Sequence, residues 1–289
     1  MKPGIDWQKL PDATKRGPMA GLDHVREMGL GGICFPTVLV MSPTLGPGFQ
    51  RDLRDKAEDL DLYVEAGLGN ISLFACAEAF GLRAAGNAGI PAEIGLHALW
   101  ISLGNFKDRY PGGFANDRFR TDIDWADQMA AMEKVMQRIA PVLRALGSHM
   151  NMETHDEITS IEILALIEAV VEACTGAVFD TANGLQRGEH PVWAARRLAP
   201  FVRRTHVKDA SVARAPGGLD VQARPCGDGM VDFAAILQIL VKADPSLNLS
   251  PEMAASCDDT LRAQPLPVQP DRRSRLARRL RRDRRLDRL

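Results

Sequence analysis

Short apolar, β-branched runs alternate along this chain with longer stretches of helical periodicity, the pattern of repeated β-α units around a parallel sheet. Candidate strands fall at Gly4–Trp7, Gly32–Pro36, Leu60–Ala66, Gly95–Leu103, His149–Glu153, Ala177–Asp180, Arg203–Lys208 and Leu247–Pro251. Between them, Trp125, Met129, Met132, Val135, Met136, Ile139, Leu143 and Leu146 recur at spacings of three and four, which predicts one helix over Asp124–Leu146. Thr159 and Glu162 form a capping box ahead of Ile161, Leu164, Ile167 and Val171. Asp232 caps a helix carrying Phe233, Ile236, Leu237 and Leu240, with Val231 placed to staple onto Ile236. Eight strands with helices between them predict a closed α/β barrel of the (β/α)8 type. The alternative, an open doubly wound sheet, usually carries a Gly-rich phosphate turn after its first strand. No G-x-G-x-x-G occurs here, and Gly227 and Gly229 come too late to supply it.

Length agrees with this reading: 289 residues, 45% apolar, suit one barrel of about 250 residues with an extension. The extension stands apart in charge. The whole chain carries −1, yet ten arginines face only three aspartates over residues 271–289, giving +7 there and −8 over residues 1–270. We divide the chain into a barrel over 1–255 and an Arg/Pro-rich tail over 256–289. A barrel needs an eighth helix at this place, and Leu276, Leu280, Leu286 and Leu289 offer it only a thin apolar stripe. Three readings of the tail stand open: a solvated basic helix or disordered extension, Arg-rich text from a frame error that replaced the native end, and an arm for anionic surfaces or nucleic acid. Five scattered cysteines (Cys34, Cys76, Cys174, Cys226, Cys257) form no C-x-x-C pair, so neither a zinc ribbon nor a disulfide framework is indicated. With no export signal and no apolar run of about 18 residues, the expectation is a cytoplasmic protein without a membrane partner.

Four residues stand at the carboxyl ends of successive predicted strands, the rim on which barrels of this kind build active sites. They are Glu153, Asp180, His206 and Glu252, separated by 27, 26 and 46 residues. The first two intervals are each about one β-α unit; the third holds an extra loop, Ser211–Met230, rich in Gly, Pro and Arg. Three carboxylates converging with one imidazole would repel as bare anions, and a hard divalent cation removes the conflict. Oxygen-rich ligation with one nitrogen suits Mn²⁺, Mg²⁺ or Co²⁺ better than zinc, which prefers Cys and His in a closed tetrahedron.

The strings METHDEITSIEIL, FDTANGLQRGEHP, RRTHVKDA, CGDGMVDFAAIL and LNLSPEM, in this order, resemble the sugar isomerase/epimerase superfamily with the xylose isomerase-like TIM barrel. That superfamily includes ketose 3-epimerases, hydroxypyruvate isomerase, inosose dehydratase and endonuclease IV-type enzymes. The likeness is specific over about residues 149–253 and architectural over 20–148. It implies one divalent metal on Glu153, Asp180, His206 and Glu252, with Glu153 and Glu252 as the catalytic proton acceptor and donor. The implied reaction is isomerisation or epimerisation of a sugar, sugar phosphate or related polyol ketone, by proton abstraction next to a carbonyl through a metal-stabilised enediolate. The alternative is a metal-dependent dehydratase of the inosose or dehydroshikimate type. An apurinic endonuclease and a non-catalytic barrel stand behind these.

Four more residues are candidates for substrate binding. His155 fits the family's Glu-x-His string and could bond a substrate hydroxyl or cap the next helix. Lys208 could hold a substrate oxygen or phosphate, or pair with Asp209. Asn183 stands where several relatives place a histidine, which argues against a multinuclear zinc centre, and six histidines in the chain under-supply a three-zinc endonuclease site, so nucleic acid is not the expected partner. Arg224 could reach an anionic group or remain a solvated loop arginine. Trp100, Trp125 and Trp193 read as packing residues, Trp7 and Phe35 as walls of the sugar pocket. The resemblance also allows a homo-oligomer.

Overall fold

The computed structural model describes residues 1–70, 95–103, 124–170, 172–215, 218–252 and 260–263. Eight strands lie side by side in chain order and all parallel: β1 (Ile5–Asp6), β2 (Gly32–Phe35), β3 (Tyr63–Asn70), β4 (Ala98–Ser102), β5 (His149–Glu153), β6 (Thr175–Asp180), β7 (Val202–Val207) and β10 (Ser250–Pro251). The last returns to the first. Gly4 N donates to Leu249 O at 2.8 Å and Leu249 N to Lys2 O at 2.9 Å, so the sheet curls into a nearly closed barrel. The expected (β/α)8 architecture is the one observed.

Helices α1 (Ala13–Glu27), α2 (Val38–Met41), α3 (Pro47–Asp59), α4 (Trp125–Ala145), α5 (Ser160–Ala169), α6 (Pro191–Leu198) and α7 (Phe233–Ala243) accompany the strands. The Asp124 carboxylate caps α4 by accepting the N–H of Ala126 at 2.8 Å, and the expected Met- and Ile-rich face is buried. The Thr159–Glu162 capping box forms at α5. Its buried face is Ile163, Leu166 and Ile167, however, while Ile161 is 43% exposed. This helix is apolar nearly all round, so periodicity could not choose its face; Val171 lies outside the described residues. Asp232 caps α7 through the N–H of Ala235 at 2.9 Å, above buried Ile236 and Leu240.

Three expectations are corrected. Strand β3 starts at Tyr63 rather than Leu60, because α3 runs on to Asp59 and the chain turns through Asp61 in the left-handed region (φ 52°). The segment Ser211–Met230 is not simply a loop. It contains most of an antiparallel hairpin of β8 (Asp209–Ala215) and β9 (Gly218–Arg224), whose free edge is paired by β11 (Thr260–Ala263). Trp193 does not pack: it is 65% exposed, because α6 turns Val192, Ala195 and Leu198 inward instead. The Arg-rich stretch 264–289 lies outside the described residues.

At the amino end of the barrel, Tyr63 reaches from β3 to β10, its hydroxyl donating to Leu249 O at 3.2 Å and lying 3.1 Å from Ser250 Oγ. Gly32 makes room for this crossing, since a Cβ there would stand 2.3 Å from the Tyr63 ring. The floor beneath the site is therefore tied across the seam of the barrel.

Candidate metal centre

The register of the sheet carries the four predicted ligands to one level. Asp180 on β6 and Ser250 on β10 both pair with His206 on β7, and Glu153 on β5 pairs with Val178, two residues before Asp180. Glu252 follows β10 directly, and its backbone N–H donates to Val207 O at 3.0 Å. All four side chains stand at the carboxyl ends of their strands, with ligand atoms within 4.8 Å of one another. Asp180 is aimed by its own turn: Oδ1 accepts the N–H groups of Ala182 (2.9 Å) and Asn183 (2.8 Å), which leaves Oδ2 for the centre.

Charge decides how this cluster persists. His206 Nδ1 lies 3.0 Å from Glu153 Oε1 and 3.3 Å from Glu252 Oε2; Lys208 Nζ lies 3.1 Å from Asp180 Oδ2 and 3.0 Å from Glu252 Oε2. Burial alone would raise the pKa of Glu153, but the charge and hydrogen bond of His206 reverse this and hold it at about 2. Asp180 goes the other way. Burial, reinforced by Glu153 and Glu252, lifts it to about 6 in spite of Lys208. His206 and Lys208 are each held well above their ordinary values by the carboxylates around them, against the pull of burial. The cluster therefore keeps protonated cations among its acids.

That arrangement fits a divalent ion. Asp180 Oδ2 and Glu252 Oε2 are buried with no aligned hydrogen-bond donor, their contacts being ionic ones with Lys208 and His206. Orphaned buried oxygens of this kind are costly unless a cation satisfies them. Three carboxylates and one imidazole form a hard, oxygen-rich donor set suited to Mn²⁺, Mg²⁺ or Co²⁺.

The remaining candidates take varied places. His155 is bonded to Glu157 (Nδ1 to Oε2, 2.5 Å), and although burial opposes its charge, Glu157 and Asp156 lift its pKa to about 10. It is a paired cation, and the capping box of α5 belongs to Thr159 instead. Asn183 is buried, with its Nδ2 unpartnered. Lys208 bridges Asp180 and Glu252, while Asp209 accepts the N–H groups of Gly227 (2.9 Å), Gly229 (2.9 Å) and Val231 (3.1 Å). Asp209 thereby holds the CGDG turn, and Gly229 permits it, since a Cβ there would stand 2.1 Å from Asp209 Oδ1. Arg224 bonds along the hairpin to Ser211 Oγ (3.0 Å) and Gln222 Oε1 (2.6 Å). Trp7 and Phe35 are buried against each other, ring centroids 5.0 Å apart.

Two further residues stand near the centre, Trp100, expected only to pack, and Asp6, which the sequence reading missed. Trp100 on β4 meets the His206 ring edge-on, centroids 5.0 Å apart, with its indole N–H buried and unpartnered. Asp6, ending β1, is buried and accepts the N–H of Gln8 at 2.7 Å; burial, reinforced by Glu252, raises its pKa from 3.8 to about 6. The signal available was its place at a strand end. A folded-state pKa above the unfolded one gives a contribution that is complete below 3.8 and lost as pH rises through about 6. Asp6→Asn should flatten the stability profile of metal-free protein across that window, by on the order of 3 kcal/mol. Urea midpoints measured at several pH values check this, and parallel profiles for the two proteins would contradict it.

Residues 90–279 match the family model for the xylose isomerase-like TIM barrel. The chain belongs to this family. Among curated proteins, this xylose isomerase-like barrel is similar to the uncharacterized protein YihM of Escherichia coli K12, 33% identical over 95 residues that make up 33% of this chain and 29% of that one. It is also similar to 3-oxo-isoapionate decarboxylase of Pectobacterium atrosepticum, 23% identical over 136 residues, 45% of this chain and 50% of that one. The matches thus span half or less of the curated relatives' lengths. Among solved structures, a D-psicose 3-epimerase shares the fold with a TM-score of 0.66 at 17% identity, covering 89% of this chain and 86% of that one. The 3-keto-D-glucoside 4-epimerase YcjR of E. coli does so at 0.65 and 15%, covering 97% and 99%. The probable 3-DHS dehydratase AsbF of Bacillus anthracis does so at 0.63 and 17%, covering 90% and 96%. No described helix is long and apolar enough to cross a membrane.

Proposed function

We propose that the protein is a divalent-metal-dependent isomerase or epimerase acting on a sugar, sugar phosphate or related polyol ketone. The observation that carries this is the convergence of Glu153, Asp180, His206 and Glu252 within 4.8 Å at the carboxyl rim of the barrel. These four residues would hold one Mn²⁺, Mg²⁺ or Co²⁺. A cation bound there polarises a substrate carbonyl and stabilises the negative charge that develops when a neighbouring proton leaves. Glu153 is the proton acceptor; in the metal-free protein His206 holds it ionised, and a bound cation would take over that part. Glu252 stands beyond the last strand of the sheet, with β6 and β7 between it and Glu153, and is placed to return a proton to the substrate's other side. Lys208 keeps a positive charge beside Glu252 and Asp180 and offers a hydrogen bond to a substrate oxygen or phosphate. Asn183 presents its unpartnered amide, and His155, paired with Glu157, and Arg224, bonded along the hairpin, are the further candidates for substrate contact. The cysteines described (Cys34, Cys174, Cys226) are all free, which supports a reducing cytosol.

A lyase is the second reading, and the likeness to a decarboxylase and to a probable dehydratase favours it. Both chemistries pass through the same charge next to a carbonyl and differ in what leaves. Incubation with ketoses, cyclitol ketones and 3-keto sugar acids in deuterated buffer with Mn²⁺ separates them by mass spectrometry. A product of unchanged composition, heavier by one mass unit because one hydrogen has been exchanged for deuterium, supports the isomerase. Loss of water or of carbon dioxide replaces it with the lyase.

A further inference from the structure

We infer that Cys34 is a positioning residue for His206, its sulfur accepting the outer ring N–H and being held there by Arg204 and Glu65 from within the barrel. The inference rests on the metal-site reading above. A neutral imidazole carries one N–H and one lone pair, and the partner of the outer nitrogen decides which is which. Nδ1 of His206 faces Glu153 and Glu252, to which it donates in the metal-free protein; since those carboxylates are the other proposed ligands, Nδ1 is the atom that would give up its proton and turn its lone pair to a bound ion. The proton then belongs on Nε2, which lies 4.0 Å from Cys34 Sγ, the outer limit for a contact to sulfur.

A free thiol turns readily and could equally donate to Nε2, which would put the ring proton on Nδ1 and spoil the site. Arg204 removes much of that freedom. It can only donate, and its Nη2 reaches Cys34 Sγ at 2.9 Å, so the sulfur accepts from Arg204 and the thiol is held in place beside the ring. Arg204 precedes His206 by two residues on β7 and so projects into the same interior, one step below the metal site. Its guanidinium is fixed by Glu65 Oε2 (2.7 Å) and Ala66 O (3.1 Å), and Glu65 is fixed in turn by Ser250 (3.1 Å) and Asn248 (3.3 Å). Cys34 and Arg204 have essentially no exposure. Trp100 holds the His206 ring from its edge and packs with Cys34 and Val178 in a small cluster separate from the main core. A fully buried guanidinium needs a reason, and orienting the sulfur beneath a metal ligand supplies one.

The test uses Co²⁺ binding to the full chain, read by titration and by the visible d–d spectrum. Losing the partner of a metal-ligating histidine typically weakens metal binding by about 10- to 100-fold. Cys34→Ala should show that loss together with an altered Co²⁺ spectrum, while Cys34→Ser, which keeps an acceptor at nearly the same volume, should recover most of the affinity. Equal affinity and spectrum in wild type and Cys34→Ala would overturn the inference. So would equal losses in the Ala and Ser variants, which mean that only packing was disturbed. Should Cys34→Ala not fold, Cys34→Ser decides: affinity near wild type supports the inference and a large loss overturns it. Wild-type protein that takes up no Co²⁺ would overturn the metal reading itself, and with it this refinement.

Discussion

Glu153→Gln should reduce turnover by on the order of 10³-fold or more while leaving the fold in place. A positioned base contributes about 10²–10⁴ to rate, and this substitution also takes a negative ligand from the centre. The amide keeps the shape of the carboxylate and can still accept from His206 Nδ1, now 3.0 Å from Glu153 Oε1, so the local hydrogen bond survives. With its pKa at about 2, Glu153 is ionised throughout the working range, and the loss is therefore one of charge and basicity rather than of packing. The rate is measured with whichever substrate the product screen yields, and circular dichroism and thermal midpoint are checked beside it. Undiminished turnover would remove Glu153 from the mechanism.

Arg204→Ala should be the most damaging single change to stability, at about 3–5 kcal/mol. Glu65 would keep its buried charge without the guanidinium 2.7 Å away, and the sulfur of Cys34 would lose its donor. A loss of this size is a large part of the roughly 5–15 kcal/mol that holds a domain together, and it should lower the thermal midpoint by on the order of 10 °C. The paired change Arg204→Met with Glu65→Leu should restore much of the loss, because buried ion pairs are often replaceable by apolar residues of like volume. Urea midpoints of the single and double variants decide the matter. An Arg204→Ala protein within about 1 kcal/mol of wild type would mean that Glu65 finds its charge balance elsewhere.

The two predictions differ in how far the sequence announced them. Glu153, Asp180, His206 and Glu252 were legible because each follows an apolar run and the intervals match β-α units, so strand ends alone placed them on one rim. Arg204 carried a usable signal too: it stands two residues before His206, and period two puts both on one face of a strand. Its charge disguised it as a surface residue. Cys34 and Glu65 look like ordinary members of apolar strands, and only the closing of the barrel, which brings β2 and β3 across from β7, shows what they touch. The hairpin Asp209–Arg224 was hidden by its Gly-, Pro- and Arg-rich composition, although Pro216–Gly217–Gly218 between two runs of small and β-branched residues is a turn signal. Helices α1 and α3 were not foreseen either. Gly17 and Pro18 interrupt the first, Gly17 taking non-helical angles, and the second is mostly charged, burying only Gln50, Leu53 and Ala57.

The acidic balance of residues 1–270 includes three of the four proposed ligands, so a bound ion would offset charge that His206 and Lys208 now balance. The direct test is a titration of chelator-treated protein with Mn²⁺, by calorimetry or by the quenching of the free ion's magnetic resonance signal. One ion per chain is the expected result, with affinity falling by more than about 100-fold in Asp180→Asn and in His206→Ala. No uptake by the wild type, or uptake that these substitutions leave unchanged, would contradict the metal centre and every role derived from it.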